Sequence, residues 1–248
     1  MFGITGEIRA VIVGARDGIG AQFVQLLAAH PGCRVVATSR DPDWAAAPSG
    51  APGVERFRVD LCAEDSVNAL GEHLSQTAFA PNLILNCTGL LHADAVQPER
   101  TWRALKQAEM TAVFAVNTIG VGLLIRALMP LIPRRDRAVF ASLSARVGSI
   151  GDNRLGGWYS YRASKAAQNM LLRCAALEAK RLWPDLVVLA LHPGTVDTAL
   201  SKPFSKRVPA HKLFSVETSC AHLESVIRAR TPKDSGGFFA WDGQPIIW

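Results

Sequence analysis

The sequence predicts an α/β protein built on a doubly wound parallel sheet. Apolar β-like runs alternate along the chain with amphipathic helical stretches. The β-like runs are continuously apolar, which is typical of a parallel sheet covered by helices on both faces. A glycine-rich loop joins the first run to the first helix. In such folds ligands bind at the carboxyl ends of the strands, so we expect the functional residues there.

Seven predicted strands are rich in β-branched and aliphatic residues. They cover residues 9–13, 34–38, 54–59, 83–87, 138–142, 186–191 and 237–241. The predicted helices repeat apolar residues at a spacing of three to four. They cover residues 19–29, 65–74, 101–131, 161–182 and 216–230, with a break expected near the Gly120/Gly122 pair.

Composition narrows the class of protein. The chain has 248 residues, of which 49% are hydrophobic and 19% charged, and this balance excludes intrinsic disorder. A chain of this length can bury a sufficient core without disulfides, and we expect one domain over residues 1–248. The net charge of +6 is not gathered into a basic stripe, so we expect no nucleic-acid partner. Residues 111–133 are apolar, but Asn117, Arg126 and several glycines predict a buried helix and no membrane partner.

The cysteines and histidines predict neither a disulfide framework nor a metal site. The five cysteines are odd in number and widely spaced, and they form no CxxC pair. A reducing, cytoplasmic location is the expectation. The six histidines include no close pair of ligands, so no metal is expected.

The first loop has glycines at Gly14, Gly18 and Gly20, a GxxxGxG spacing. Glycines at a strand–helix junction allow a tight turn and let the backbone approach a pyrophosphate at the helix N-terminus. The loop therefore favours a dinucleotide site. A plain strand–helix turn that happens to contain glycines is the alternative.

The end of the second strand bears on the choice of cofactor. NAD-binding proteins commonly place an acid there to hold the ribose 2′-hydroxyl, whereas this chain has Ser39 followed by Arg40. Arg40 and Arg16 can pair with a 2′-phosphate, which favours NADP(H). Asp41 argues against this interpretation, and both arginines can also be ordinary surface charges.

A candidate acid/base pair opens the fourth predicted helix. Tyr161 and Lys165 are four residues apart and therefore share a helix face. A nearby ammonium is expected to lower the tyrosine pKa toward neutrality, which would let the phenol exchange protons near pH 7. Ser142 and Ser144 follow the fifth strand and can hold a carbonyl oxygen, or simply be strand-end hydroxyls. Asn117, in an apolar stretch, is either structural or part of a proton relay.

Together these segments resemble the compact, single-domain form of the short-chain dehydrogenase/reductase family over nearly the whole chain, and the Ser144–Tyr161 segment resembles its C-factor-like branch. The resemblance implies the Rossmann fold. It rests on the motifs Gly14/Gly18/Gly20, Asp60-Leu61, Asn86 to Gly89, Asn117, Ser142 to Ser144, Tyr161/Lys165 and Pro193-Gly194 with Thr198.

The resemblance also implies roles. Tyr161 is the acid/base, Lys165 tunes it and binds the nicotinamide ribose, and Asn117 supports a proton relay. The remaining implied cofactor contacts are Gly14, Gly18, Ile19 and Gly20 around the pyrophosphate, Asp60 and Leu61 at the adenine, Asn86 and Gly89 along the fourth strand, and Pro193, Gly194, Val196 and Thr198 at the nicotinamide. A homodimer or homotetramer is expected from the family.

One departure from the family pattern concerns the catalytic serine. Ala145 occupies the usual position, so Ser144 is the predicted catalytic serine, with Ser142 as the second choice. Tyr159 is excluded as the acid/base because Ala163, not a lysine, lies four residues on. The function predicted is hydride transfer between NADP(H) and a small carbonyl or alcohol substrate, under a lid around residues 199–215. The alternative is a catalytically weak nucleotide-binding protein with a regulatory or signalling role.

Overall fold

Seven parallel strands form the central sheet of the molecule. The computed structural model describes residues 1–207, 209 and 212–248. Within these described residues the strands, in chain order, are β1 (Ile8–Val13), β2 (Cys33–Ser39), β3 (Val54–Arg58), β4 (Leu83–Asn86), β5 (Ala138–Leu143), β6 (Leu186–His192), β7 (Thr195–Val196), β8 (Leu213–Phe214) and β9 (Gly237–Ala240). The sheet order is β3-β2-β1-β4-β5-β6-β9, while β7 and β8 pair separately. The predicted doubly wound parallel sheet is confirmed.

Helices cover both faces of this sheet. They are α1 (Gly18–Ala28), α2 (Pro42–Ala46), α3 (Glu64–Gln76), α4 (Gln107–Phe114), α5 (Gly120–Leu128), α6 (Tyr159–Ala179) and α7 (Val216–Ala229). Strand residues alternate between two cores: Val11 and Val13 face the α3, α5 and α6 side, whereas Ala10 and Ile12 face the α1 and α7 side. The strand order reverses between β1 and β4, so a cleft opens at their carboxyl ends.

The long helical region differs from its prediction. It is not broken at Gly120; a π-helical turn, Ala115–Ile119, joins α4 to α5 instead. The run Gln107–Leu131 is long and apolar enough to cross a membrane by length and composition alone. Its inner side contributes Val121, Leu124 and Leu128 to the core.

Helix α6 begins two residues earlier than predicted, at Tyr159. The preceding Trp158 has a left-handed backbone (φ 52°), and its N–H donates to the carbonyl of Glu99 over 2.5 Å. The Glu99 carboxylate is buried and accepts hydrogen bonds from the Ser160 N–H (3.2 Å) and the Ser160 hydroxyl. A distant loop thus fixes the start of the helix that carries Tyr161.

Candidate active site

Two adjoining cavities occupy the carboxyl end of the sheet. The tyrosine cavity, about 370 Å³, contains Tyr161 and Lys165. The glycine-loop cavity, about 550 Å³, contains Arg16 and Ser39. They share the wall residues Gly14, Asp17, Cys87, Thr88 and Gly89. The two cavities therefore form one continuous cleft across the switch point between β1 and β4.

The glycine loop has the geometry of an anion site. Gly14 has φ +81°, which favours glycine, and its N–H donates to the Thr38 carbonyl. Asp17 precedes α1 but makes no side-chain cap, so the first-turn N–H groups of this 11-residue helix have no capping side chain. Gly18 and Ile19 line the tyrosine cavity. Gly20 lines neither cavity, and a Cβ there would overlap the Gly14 carbonyl, so close packing requires glycine at this position.

The residues predicted to choose the cofactor lie together in the glycine-loop cavity. Arg16 Nη1 is 2.8 Å from Asp41 Oδ2. Asp41 also accepts the N–H groups of Asp43 and Trp44, and these bonds together with Arg16 lower the pKa of the carboxyl. The acid that argued against NADP(H) is therefore engaged in capping α2. Arg40 makes no ion pair with any residue that the structure describes, so its guanidinium remains available.

Of four further residues predicted to contact the cofactor, three line the cleft and Asn86 does not. Asp60 and Leu61 line the glycine-loop cavity, and Gly89 lines both cavities. Asn86 is 1% exposed and lines neither. Its Oδ1 accepts from the Thr88 N–H and hydroxyl, and its Nδ2 donates to Ser142 Oγ. Asn86 therefore supports the turn beneath the cleft, and its predicted contact with the cofactor stays a prediction.

Tyr161 and Lys165 lie in the tyrosine cavity, one helical turn apart. Lys165 Nζ is 5.9 Å from the centre of the Tyr161 ring. Burial lowers the pKa of Lys165 to about 7 and raises the pKa of Tyr161 well above its ordinary value. The expected lowering of the tyrosine pKa is therefore wrong: desolvation raises it, and the Lys165 ammonium donates to other acceptors.

A buried polar network holds that ammonium. Lys165 Nζ donates to the Leu143 carbonyl and to Gln168 Oε1, each over 2.8 Å. Gln168 Nε2 donates in turn to Ser142 Oγ over 2.8 Å. Ser142 is fully buried and also accepts from Asn86, and it does not line the tyrosine cavity. The second choice for the catalytic serine is thereby a structural hydroxyl.

Ser144 does line the tyrosine cavity, next to Ala145. Its Oγ is 2.7 Å from Asn169 Oδ1, on the buried face of α6. Asn169 Nδ2 is enclosed and has no hydrogen-bond partner in the described part of the chain. Rotating the Asn169 amide by half a turn gives Nδ2 a partner in Ser144 Oγ and frees the serine proton.

Asn117 lies in the π-helical turn, a distortion that often occurs at functional sites. Its Oδ1 accepts from the Leu90 N–H (2.7 Å), and its Nδ2 donates to the Leu90 carbonyl and to Ser164 Oγ. It does not line the tyrosine cavity. However, Asn117 Oδ1 and Lys165 Nζ lie 3.8 and 3.6 Å from the position that a Cβ on Gly89 would take. Asn117 therefore holds the loop that carries Gly89 through two hydrogen bonds to the Leu90 backbone.

The far wall of the tyrosine cavity comes from the segment after β6. The predicted nicotinamide-end residues Pro193, Gly194, Val196 and Thr198 all line it. An aromatic chain follows: His92 against Phe204 (5.6 Å between ring centres), Phe204 against Trp158 (5.1 Å) and Trp158 against Tyr161 (6.3 Å). His92 Nε2 also lies 3.1–3.2 Å from the carbonyls of Leu200 and Ala199. Of the predicted lid at residues 199–215, positions 208, 210 and 211 lie outside the described residues.

Sequence reasoning missed three residues of this region. His192 lines the tyrosine cavity, and its place at a strand's carboxyl end just before Pro193 could have drawn attention to it. Gln168 lies three residues after Lys165, and its position on the helix face of Tyr161 and Lys165 was the available signal. Glu99 is an acid within an irregular loop, and nothing local marks its contact with Ser160. No group of potential metal ligands is found within the described residues.

Comparison with known proteins accords with this geometry. The short chain dehydrogenase family model matches residues 9–209. The chain is 34% identical to the 1-hydroxy-2-glutathionyl-2-methyl-3-butene dehydrogenase of Rhodococcus sp. (strain AD45), covering 77% of this chain and 78% of that one. It is 32% identical to the C-signal protein of Myxococcus xanthus, over 69% and 99% of the two chains.

Among solved structures, the NADPH-bound carbonyl reductase from chicken fatty liver is similar, with a TM-score of 0.85 and 27% identity. The match covers 99% of this chain and 96% of that one. The extent of the family match and the similarity to the dehydrogenase together establish the family. The chain is therefore an oxidoreductase of the short-chain dehydrogenase/reductase family.

Proposed function

We propose that this protein is an NADPH-dependent carbonyl reductase, which in reverse oxidises a secondary alcohol. The observation that carries the proposal is the meeting of Tyr161, Lys165 and Ser144 in one cavity that continues into the glycine-loop cavity. The residues present fit a dinucleotide, because the start of α1 offers uncapped N–H groups and Gly14 leaves room that a side chain would fill against Thr88.

Arg40 supports NADP(H) as the cofactor. It borders the glycine-loop cavity without an ion-pair partner among the described residues, and Asp41 is already engaged with Arg16 and the start of α2. A guanidinium can bind a 2′-phosphate through paired hydrogen bonds. The chicken carbonyl reductase, which is similar over nearly the whole chain, is described as NADPH-bound.

In the mechanism proposed here the cofactor supplies the hydride and the protein supplies position and a proton. Tyr161, whose pKa is raised by burial, is protonated and can donate to the carbonyl oxygen. Lys165 then stabilises the phenolate by its charge. Ser144, once Asn169 Nδ2 donates to it, holds the same oxygen with its free proton.

The segment from residue 199 to 215 is proposed as the lid. Ala199, Leu200 and Phe204 line the tyrosine cavity, and the contact from His92 joins the segment to the opposite loop. Closure over the cavity would exclude water from the proton transfer.

A homodimer is part of the proposal. Large apolar side chains are exposed on the outer side of α6 and on the π-helical turn, at Met170, Leu177 and Ile119. A second copy that covers them would remove apolar surface from water. Light scattering of the purified protein tests this point.

The experiment that tests the function has two steps. NADPH and NADH are titrated by fluorescence, and NADPH oxidation is then followed with a panel of carbonyl compounds. We expect preferential binding of NADPH and turnover that falls by about 100-fold or more in Tyr161→Phe, with cofactor affinity retained. Tyr159→Phe, which changes the one other tyrosine, is the matched control and should retain activity. Normal turnover by Tyr161→Phe would rule out the proposed mechanism.

A second function has one observation in its favour. Ala145 leaves the cavity wall without the hydroxyl that the family pattern places there, and the C-signal protein is among the relatives. A nucleotide-binding regulatory protein would bind NADPH and reduce no carbonyl compound. Its biological effect would also be insensitive to Tyr161→Phe.

A further inference from the structure

His192 is a polar side chain of the tyrosine cavity that the proposed mechanism does not use. It ends β6, immediately before Pro193, and it lines the cavity. Its Nδ1 is fully enclosed and has no hydrogen-bond partner among the described residues. A neutral imidazole can enclose one ring nitrogen as a bare lone pair, which leaves the other ring nitrogen, Nε2, as the hydrogen-bond donor.

Sheet register places His192 beside Ser144 and Ala145, where the catalytic serine of the family pattern is missing. Leu191 pairs with Leu143, and the Ser144 N–H donates to the Leu191 carbonyl over 2.7 Å. His192 and Ser144 therefore lie side by side at the ends of the paired strands β6 and β5. Ala145 follows Ser144 and lines the same cavity. His192 and Ala145 therefore border the same cavity, in which Ala145 offers no hydroxyl.

The charge state of His192 is set by its surroundings. Burial, followed by the positive charge of Arg146, lowers its pKa to about 4, against a weaker opposite effect of Asp242. The ring is therefore neutral near pH 7 and carries one N–H and one lone pair. An enclosed lone pair is tolerated better than an enclosed N–H, so Nδ1 without a partner favours the proton on Nε2.

We propose that His192 is a substrate-binding residue that donates a hydrogen bond from Nε2 to an uncharged oxygen of the carbonyl substrate. This inference rests on the proposed function. A neutral donor suits a carbonyl, ester or ether oxygen better than a carboxylate, which attracts a cation. The two cationic side chains that line the cavity are already engaged: Arg146 pairs with Asp152 at 3.2 Å, and Lys165 donates to the Leu143 carbonyl and to Gln168. The substrate class is therefore uncharged carbonyl compounds.

The test compares three replacements. His192→Gln places an amide donor near the Nε2 position, His192→Asn places it near Nδ1, and His192→Phe keeps the ring without a donor. His222→Phe is the matched control, since His222 also has an enclosed Nδ1 without a partner in the described chain but does not line the cavity. The probes are phenyl methyl diketone, which is uncharged, and phenylglyoxylate, which is an anion of similar shape.

Two quantities are measured for each variant: the affinity of the probe for protein loaded with NADP⁺, where no reduction occurs, and kcat/KM with NADPH. We expect the wild type to bind the diketone more tightly than phenylglyoxylate. His192→Phe and His192→Asn should weaken diketone affinity by about fivefold to tenfold, the effect of one lost hydrogen bond. His192→Gln should recover most of it, and His222→Phe should not change it.

The proposal is overturned if His192→Phe binds the diketone as the wild type does, if phenylglyoxylate binds more tightly, or if the wild type binds neither probe. It is also overturned if all three replacements weaken NADPH binding as much as probe binding, because the role would then be structural. Failure of the proposed function would give a different result. The probes would bind with the expected dependence on His192, yet NADPH would not be oxidised.

Discussion

Lys165 Nζ and Gln168 Oε1 are joined by a buried hydrogen bond of 2.8 Å. The same ammonium donates to the Leu143 carbonyl, so two acceptors hold it on the β5 side of the cavity. Desolvation nevertheless lowers the pKa of Lys165 to about 7. Gln168 therefore favours the charged form of a lysine that burial drives toward neutrality.

Changing Gln168 should move the alkaline side of the pH–activity profile. The proposed mechanism needs charged Lys165, so kcat/KM falls as pH rises through the lysine pKa. Gln168→Leu removes an acceptor, lowers that pKa and shifts the fall to lower pH. Gln168→Glu adds a negative charge and shifts it to higher pH. The measurement is kcat/KM from about pH 5 to about pH 9. Superimposable profiles in all three proteins would contradict the role of Gln168.

Lys165 should also make stability depend on pH. Its pKa is about 7 in the folded protein against an ordinary value of 10.5, so between these values the unfolded chain binds more protons. Stability therefore rises with pH in this window, by up to about 1.4 kcal/mol per pH unit. We expect urea unfolding of the wild type to gain free energy relative to Lys165→Met as pH rises from near 7. A difference that does not change with pH would mean that the lysine is hydrated.

The orientation of the Asn169 amide should decide whether the Ser144 hydroxyl can donate its proton into the cavity. Asn169→Asp presents only acceptors to Ser144 Oγ and keeps the serine proton away from the cavity. We expect a loss in kcat on the order of tenfold to hundredfold, similar to the loss in Ser144→Ala. Ala145→Ser in the Ser144→Ala background should restore part of kcat by returning a hydroxyl to the same wall. Steady-state kinetics at saturating NADPH measure all four proteins, and full activity of Asn169→Asp would exclude a catalytic Ser144 proton.

Arg40 should discriminate the cofactors. Arg40→Ser removes the proposed partner of the 2′-phosphate, and we expect NADPH affinity to fall by about tenfold while NADH affinity hardly changes. Ser39→Asp should reverse the preference by offering a carboxylate to the ribose hydroxyl. Arg154, an exposed arginine that lines neither cavity, provides the control variant Arg154→Ser. Equal losses of affinity for NADPH and NADH would mean that Arg40 contacts a part of the cofactor that both share, and not the 2′-phosphate.

Periodicity and strand-end position predicted most of this architecture because each is a local property. Residues 10–13 are apolar because β1 is covered on both faces, and Tyr161 and Lys165 share a helix face by spacing alone. What the sequence could not show depends on three-dimensional contacts. Ser142 and Ser144 look alike along the chain, yet one lies inside the network of Asn86 and Gln168 and the other at the cavity. The direction of the tyrosine pKa likewise follows from burial, which spacing does not report.

Glu99 gives the last prediction, since its carboxylate accepts both the N–H and the hydroxyl of Ser160 at the start of α6. Glu99→Ala leaves these buried donors without an acceptor and should cost about 2 kcal/mol of unfolding free energy. For a chain of this size that is a fall in Tm of roughly 4–8 °C. Because Ser160 directly precedes Tyr161, kcat should fall as well, whereas NADPH affinity at the distant glycine loop should not. Glu99→Gln keeps one acceptor and should lie between; a stable but inactive Glu99→Ala would instead indicate direct contact with substrate.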